Sequence, residues 1–333
     1  MDNIFALAQE NLLSPIILSF ALGLAAALAR SDLTMPEAVA KGLSLYLLFA
    51  IGFKGGAAVA AHGVDTTLIL SLVAGTVLSF ALPFLAFAML RVMTRLSTVD
   101  AAAVAGHYGS ISIVTFVAAS SVLTSQGIDS EGYMVAVAAA MEAPAILAAL
   151  WLAARRAPAE ALPAGGGVAA ASQPGLLREV LLNGSLVLLV GSFLIGMATG
   201  AEGMAEISPL ITDPFKGVLC LFLLDMGLVA GRGLRENRTA VAVGAFAFAV
   251  IMPLISAAIG YGTGLALGLS AGGVALLMTL SASASYIAVP AAMRVALPEA
   301  NPSVYLTLSL CVTFPFNLII GIPLYVAIAT GGG

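Results

Sequence analysis

Long apolar runs dominate the chain, separated by short clusters of charged and turn-forming residues. A helix that crosses a bilayer needs about 20 mostly apolar residues. Ten runs approach that length: 12–29, 36–53, 67–90, 101–124, 131–154, 179–199, 214–231, 239–267, 271–293 and 304–329. They are referred to below as spans 1 to 10. The pattern predicts an all-α polytopic membrane protein of about ten transmembrane helices, with no room for a soluble domain. Span 1 lacks a basic leader and a small-residue cleavage site, so it reads as a span and not as a signal peptide.

Composition supports lipid as the solvent. Apolar residues fill 61% of 333 positions and charged residues only 9%, whereas a soluble domain carries roughly 25% charged residues to cover its surface. Cys220 and Cys311 both fall inside spans and show no metal-ligand spacing. The net charge of −4 gives no reason to expect a nucleic-acid partner.

The placement of basic residues says more than their sum. Arg30, Lys41, Arg91, Arg95, Arg155, Arg156, Arg178, Arg232, Arg235, Arg238 and Arg294 fall on one side, and only Lys54 and Lys216 on the other, each next to a span end. Short loops rich in Lys and Arg stay cytoplasmic. The 11-to-2 split therefore predicts a multi-pass protein of a bacterial inner (plasma) membrane with both termini periplasmic.

The chain also repeats itself. Ser19-Phe20-Ala21-Leu22-Gly23 returns as Ser192-Phe193-Leu194-Ile195-Gly196, 173 residues later. Gly52 and Gly56 return as Gly227 and Gly231 at an offset of 175, and Pro83 as Pro253 at 170. Spans 4 and 9 share serine-alternating stretches, Gly109-Ser110-Ile111-Ser112 and Ser281-Ala282-Ser283-Ala284-Ser285. Because five spans is an odd number, the second copy must enter the membrane inverted, as in secondary transporters. The expected organisation is a first repeat at 1–154, a cytoplasmic linker at 155–175 rich in Pro and Gly, and a second repeat at 176–333.

Candidate chemistry concentrates in spans 4 and 9. Gly109, Ser110, Ser112 and Thr115 lie near the centre of one, and Ser281, Ser283 and Ser285 near the centre of the other. Irregular backbone at membrane depth is tolerated only where it lines a cavity or is buried in protein. The expectation is that both spans break, near Gly109–Ser112 and Ser281–Ser285, and cross at the midplane. Half-helix N-termini would then face an anion, while Ser112, Ser285 and unwound backbone carbonyls hold sodium. The plain alternative is serines bonded to the carbonyl of the preceding turn or mediating helix contacts. Glu142, two residues before Pro144, is the candidate coupling acid, since membrane acids are costly. Asp225 and His107 are weaker candidates for coupling or proton relay.

The same residues carry a family resemblance. The chain resembles the sodium-dependent bicarbonate permeases first known from cyanobacterial carbon-concentrating systems, over nearly all ten spans. The most specific stretches are Ile51-Gly52-Phe53-Lys54-Gly55-Gly56 and Ala300-Asn301-Pro302-Ser303-Val304-Tyr305, with Arg294 and Pro298 just before the second. Span 4 is similar through Gly106, Tyr108, Gly109, Ser112 and Thr115, and span 9 through Ser283, Ser285, Ile287 and Pro290. The resemblance implies that Ser112 and Ser285 face substrate and sodium, and that the protein is a homotrimer whose core domain moves elevator-fashion against a scaffold. Departures occur at Tyr286, where the family has an acid, at Val289-Pro290-Ala291, where it has Gly-Pro-Pro, and at Glu142, where it has Asp.

The function expected is a sodium-coupled secondary transporter importing bicarbonate, with sodium as the bound ion and lipid as the surrounding partner. The alternatives are a sodium symporter of another small anion (a short carboxylate, or a bile-acid-type carrier), an anion channel, and an intramembrane enzyme. The usual hydrolase patterns, His-Glu-x-x-His and Gly-x-Ser-x-Gly, do not occur, so no enzyme is expected. Whether a nucleotide-sensing regulatory protein binds on the cytoplasmic side is left open by the sequence.

Overall fold

A computed structural model describes residues 14–156, 182 and 184–331, except 64, 237–241, 288, 291 and 294–296. The expected linker at 155–175 lies, from residue 157 onward, outside the described residues, and so do Arg178, Arg238 and Arg294. The described chain is helical. In order the helices are α1 (Pro15–Leu28), α2 (Glu37–His62), α3 (Thr66–Met93), α4 (Thr98–Gly109), α5 (Ile113–Ser125), α6 (Met134–Ala140) and α7 (Ala143–Arg156). They continue with α8 (Gly184–Ile211), α9 (Phe215–Glu236), α10 (Val243–Ala266), α11 (Ala271–Ala282) and α12 (Pro302–Ala329). Among the described residues, eight helical stretches are long and apolar enough to cross a membrane, with α4–α5 and α6–α7 each counted as one. The helices α1 and α11 are apolar but shorter.

Local sequence explains where these helices start. Asp65 Oδ1 accepts the Leu68 N–H at 2.7 Å and opens α3. Ser97 and Ser270 do the same for α4 and α11, accepting from Asp100 N at 3.0 Å and Gly273 N at 3.1 Å. Such caps satisfy donors that the first turn leaves without partners.

The helices sort into two bundles. In one, α1 lies along α9 and α2 along α8, and these are the two most extensive pairings in the molecule. Glycines set the closeness of both. A Cβ on Gly56 would sit 1.9 Å from the Phe193 carbonyl oxygen, and one on Gly196 would sit 2.1 Å from that of Phe53. On the other pair, a Cβ on Gly23 would meet the Leu224 oxygen at 2.0 Å and one on Gly227 the Phe20 oxygen at 2.2 Å. Backbones can approach this closely only where no side chain intervenes, which is the packing mode of membrane helices. Leu18, Leu22, Val187, Leu194 and Ile195 remain exposed on the outside of this bundle, as a lipid-facing surface requires.

The second bundle holds the broken spans. Here α4 packs between α3 and α7, and α11 between α10 and the end of α12. Residues 101–119 and 272–286 are buried without exception. Pro253 cannot donate to the Ala249 carbonyl one turn back, and the Thr313 hydroxyl supplies the missing bond at 2.7 Å. Thr313 sits in the first of two π-helical stretches of α12, Thr307–Thr313 and Asn317–Gly321.

Four expectations change. Span 5 is not continuous: it breaks into α6 and α7 at Met141–Glu142, ahead of Pro144, which has no N–H to donate to the Ala140 carbonyl one turn back. Span 6 runs on to Ile211 after a bend at Gly200, whose φ of 58° is open to glycine. Span 2 continues to His62, so Lys54 stands within a helix and not at its end. The span 9 break begins at Ser283, so Ser281 lies inside α11.

Candidate functional site

The two breaks meet. Between α4 and α5 the chain is extended at Ser110 (φ −88°, ψ 163°) and Ser112 (φ −103°, ψ 108°). After α11 it is extended at Ser283 (φ −80°, ψ 162°). The Ser112 N–H donates to Ser283 Oγ at 2.9 Å, and the Ser285 N–H donates to the His107 carbonyl at 2.8 Å. Backbone donors released by one break are thus satisfied by the other.

Each break is followed by a serine that caps what comes next. Ser112 Oγ accepts from Thr115 N at 3.2 Å, closing the first turn of α5. Ser285 Oγ accepts from Val289 N at 3.4 Å. A capping hydroxyl still carries its own proton and a second lone pair, so both serines keep capacity for a ligand. The N-terminus of α5 opens onto the crossing and contributes a positive dipole end.

The other candidates divide into engaged and free groups. Ser110 Oγ donates to Glu142 Oε2 at 2.9 Å, which ties the span 5 turn to the span 4 break. Ser283 Oγ, besides accepting from Ser112, donates to the Leu280 carbonyl at 2.8 Å. Among the described residues, the Thr115 and Ser281 hydroxyls, the Tyr286 hydroxyl and His107 Nε2 are buried with no hydrogen-bond partner. Buried polar atoms without partners are uncommon and call for an explanation such as a ligand. Ser281 is the exception in placement: its hydroxyl points at Gly260 of α10, away from the partner break.

No group of three or more His, Cys, Asp or Glu able to hold a metal occurs among the described residues. The oxygen groups gathered at the breaks are hydroxyls, backbone carbonyls and the Glu142 carboxylate, hard donors of the kind an alkali ion takes.

The family model for the Na+-dependent bicarbonate transporter superfamily matches residues 15–330. The chain belongs to that superfamily. A search among curated proteins finds no match. Membership in a sodium-dependent bicarbonate transporter superfamily accords with the apolar helices, and the chain is a multi-pass membrane protein.

Within this superfamily member, the structure brings together Gly109, Ser110, Ser112, Ser283 and Ser285, with Thr115 one turn into α5. Gly109 packs on Pro83, where a Cβ would lie 2.3 Å from the ring. The structure adds groups that the sequence pattern did not single out. Asn317, in the second π-helical stretch, donates to the Ala282 carbonyl at 2.8 Å and accepts from the Tyr325 hydroxyl at 2.9 Å. It thereby satisfies the end of α11. A lone amide in an apolar run was its only signal. The Tyr286 hydroxyl approaches Ser112 without making a hydrogen bond, and its ring packs on Phe314 at 5.3 Å. His107 donates from Nδ1 to the Ala103 carbonyl (2.7 Å) and stacks on Tyr305 (4.4 Å). Asp225 is buried on α9, in the other bundle.

Proposed function

We propose that the crossing of the two breaks is the site of a sodium-coupled importer of bicarbonate. The observation that carries this reading is the reciprocal bonding of Ser112, Ser283, Ser285 and His107 in a chain of this superfamily. Ser112, Ser285 and nearby carbonyls would replace part of the water around sodium. The N-terminus of α5, with the Thr115 and Tyr286 hydroxyls, would face the anion. Gly109, Ser110 and Ser283 shape and hold the breaks, and Glu142, hydrogen-bonded to Ser110, would couple ion occupancy to the position of the break. The alternative enzyme and channel readings gain no support from this arrangement.

The proposal includes the architecture. The pairings α1 with α9 and α2 with α8 exchange under the sequence repeat, as do α3–α4 with α10–α11 and α4–α7 with α11–α12. Even the loop contacts exchange. The Asp100 carboxylate accepts from Asn301 N at 2.8 Å, and that of Glu131 from Ser270 N at 2.6 Å; Ser270 lies 170 residues after Asp100 and Asn301 lies 170 after Glu131, so the two bonds exchange under the repeat. These reciprocities support ten spans in two inverted repeats, 1–154 and 176–333. They also fit an elevator-type movement of the α3–α7 and α10–α12 bundle against the α1, α2, α8 and α9 bundle. A homotrimer in a bacterial inner membrane, termini periplasmic, completes the reading.

A second reading has one observation in its favour. The apolar ring of Tyr286 beside Ser112 would suit a short carboxylate better than bicarbonate. Uptake of labelled bicarbonate into proteoliposomes, with short carboxylates as competitors, tests both. Sodium-dependent bicarbonate uptake supports the first, and uptake of carboxylate alone supports the second.

A further inference from the structure

A cavity of about 320 Å³ lies away from the crossing, between the two bundles, on the face opposite the arginine-rich loops. Its wall includes Lys54 of α2, Phe215 and Lys216 at the start of α9, and Ser121 of α5. Lys54 is half-buried, and among the described residues it makes no ion pair or hydrogen bond. Its ammonium rests 4.5 Å from the Phe215 ring centroid, a contact that orients the cation without neutralising it. Ser121 is 5% exposed, and its hydroxyl has no partner among the described residues.

The two acids of the wall do not answer this charge. Glu131 is committed to Ser270, accepting from its N–H at 2.6 Å and its hydroxyl at 3.0 Å. Asp213 is exposed, as is neighbouring Lys216. A half-buried ammonium and a buried hydroxyl thus line the same cavity, and among the described residues neither has a carboxylate partner. The cavity is large enough for a small anion with its water, and its two acids are balanced by its two lysines.

We propose that this cavity is an anion site separate from the crossing, in which a small monovalent oxyanion is held by the Lys54 ammonium and the Ser121 hydroxyl. The site lies along α5, whose N-terminus is at the break. Under the transporter reading it is the place where the anion waits before reaching Ser112. That role rests on the proposed function, whereas the binding itself does not.

The test is equilibrium binding of labelled bicarbonate to the purified full-length chain. Wild type, Lys54→Gln, Lys54→Arg and Ser121→Ala are compared in a Ser112→Ala/Ser285→Ala background that weakens the crossing, with thermal unfolding as the check on folding. A charge-assisted hydrogen bond lost from a buried site predicts at least about tenfold weaker binding for Lys54→Gln and several-fold weaker for Ser121→Ala. Lys54→Arg keeps the charge and recovers most of the affinity. If Lys54→Gln misfolds, Ser121→Ala alone decides. Bicarbonate binding that is absent in the parent, or unchanged in both variants, overturns the site. If the parent binds bicarbonate through Lys54 but liposomes show no sodium-driven uptake, the transport reading fails and this site stands. If uptake is normal and the variants change neither binding nor KM, this site fails and transport stands.

Discussion

Ser112 illustrates how one hydroxyl can serve both fold and ligand. It caps α5 through Thr115 N at 3.2 Å, so Ser112→Ala loses about 1 kcal/mol of helix capping. If the hydroxyl also binds sodium or the anion, the same change costs about 10- to 150-fold in affinity. Sodium-driven uptake at varied sodium should show this for Ser112→Ala and for Ser285→Ala. Both proteins should still elute as the wild-type assembly. Ser283→Ala should behave differently. It strands the buried Ser112 N–H, at about 1–3 kcal/mol, and the deficit should appear as a lower melting temperature before any change in sodium dependence. Ser281→Ala, facing Gly260, should leave sodium dependence unchanged. The sequence made the serines visible as a cluster. It could not tell capping from pointing away, because a two-residue shift of the break from Ser281 to Ser283 leaves Ser281 on the helix and changes which way its hydroxyl faces.

At the scale of elements, Gly109-Ser110 and the alternating serines of span 9 were enough to locate two breaks, since those residues weaken helices and solvate open backbone. The span 5 break is not legible from Pro144 alone, because a proline in a membrane helix usually kinks it without ending it. Here Ser79 Oγ donates to the Met141 carbonyl at 2.5 Å and Ser110 to Glu142, so distant residues stabilise the turn. No local pattern reports that. The same holds for Gly200, one glycine among 35. The glycine pairs were legible as a repeat, and their role follows from the close approaches. Gly56→Leu must push α2 off α8, since even a Cβ would overlap the Phe193 oxygen. The expected outcome is loss of folded protein in size-exclusion chromatography, whereas Gly42→Leu, with open space around it, should express normally. Glu131→Ala should lower thermal stability by about 1 kcal/mol, as loss of a cap on α11 does, with Asp100→Ala doing the same at Asn301.

For the whole molecule, the basic residues predict sidedness. In a variant lacking Cys220 and Cys311, a cysteine at Ser130 should react with a membrane-impermeant reagent from outside, and one at Thr94 only after permeabilisation. The reverse result would invert the topology while leaving the crossing intact. Elevator movement predicts that a crosslink between the two bundles, across the Lys54 cavity, stops uptake without abolishing ion binding. The central claim is that the crossing couples sodium to bicarbonate. The most direct measurement is uptake of labelled bicarbonate by proteoliposomes holding the purified chain, with and without an inward sodium gradient, for wild type and Ser112→Ala/Ser285→Ala. The account predicts accumulation above equilibrium only with the gradient, and its loss in the double variant. Equal uptake with and without sodium, or gradient-driven uptake undiminished in the double variant, would contradict it.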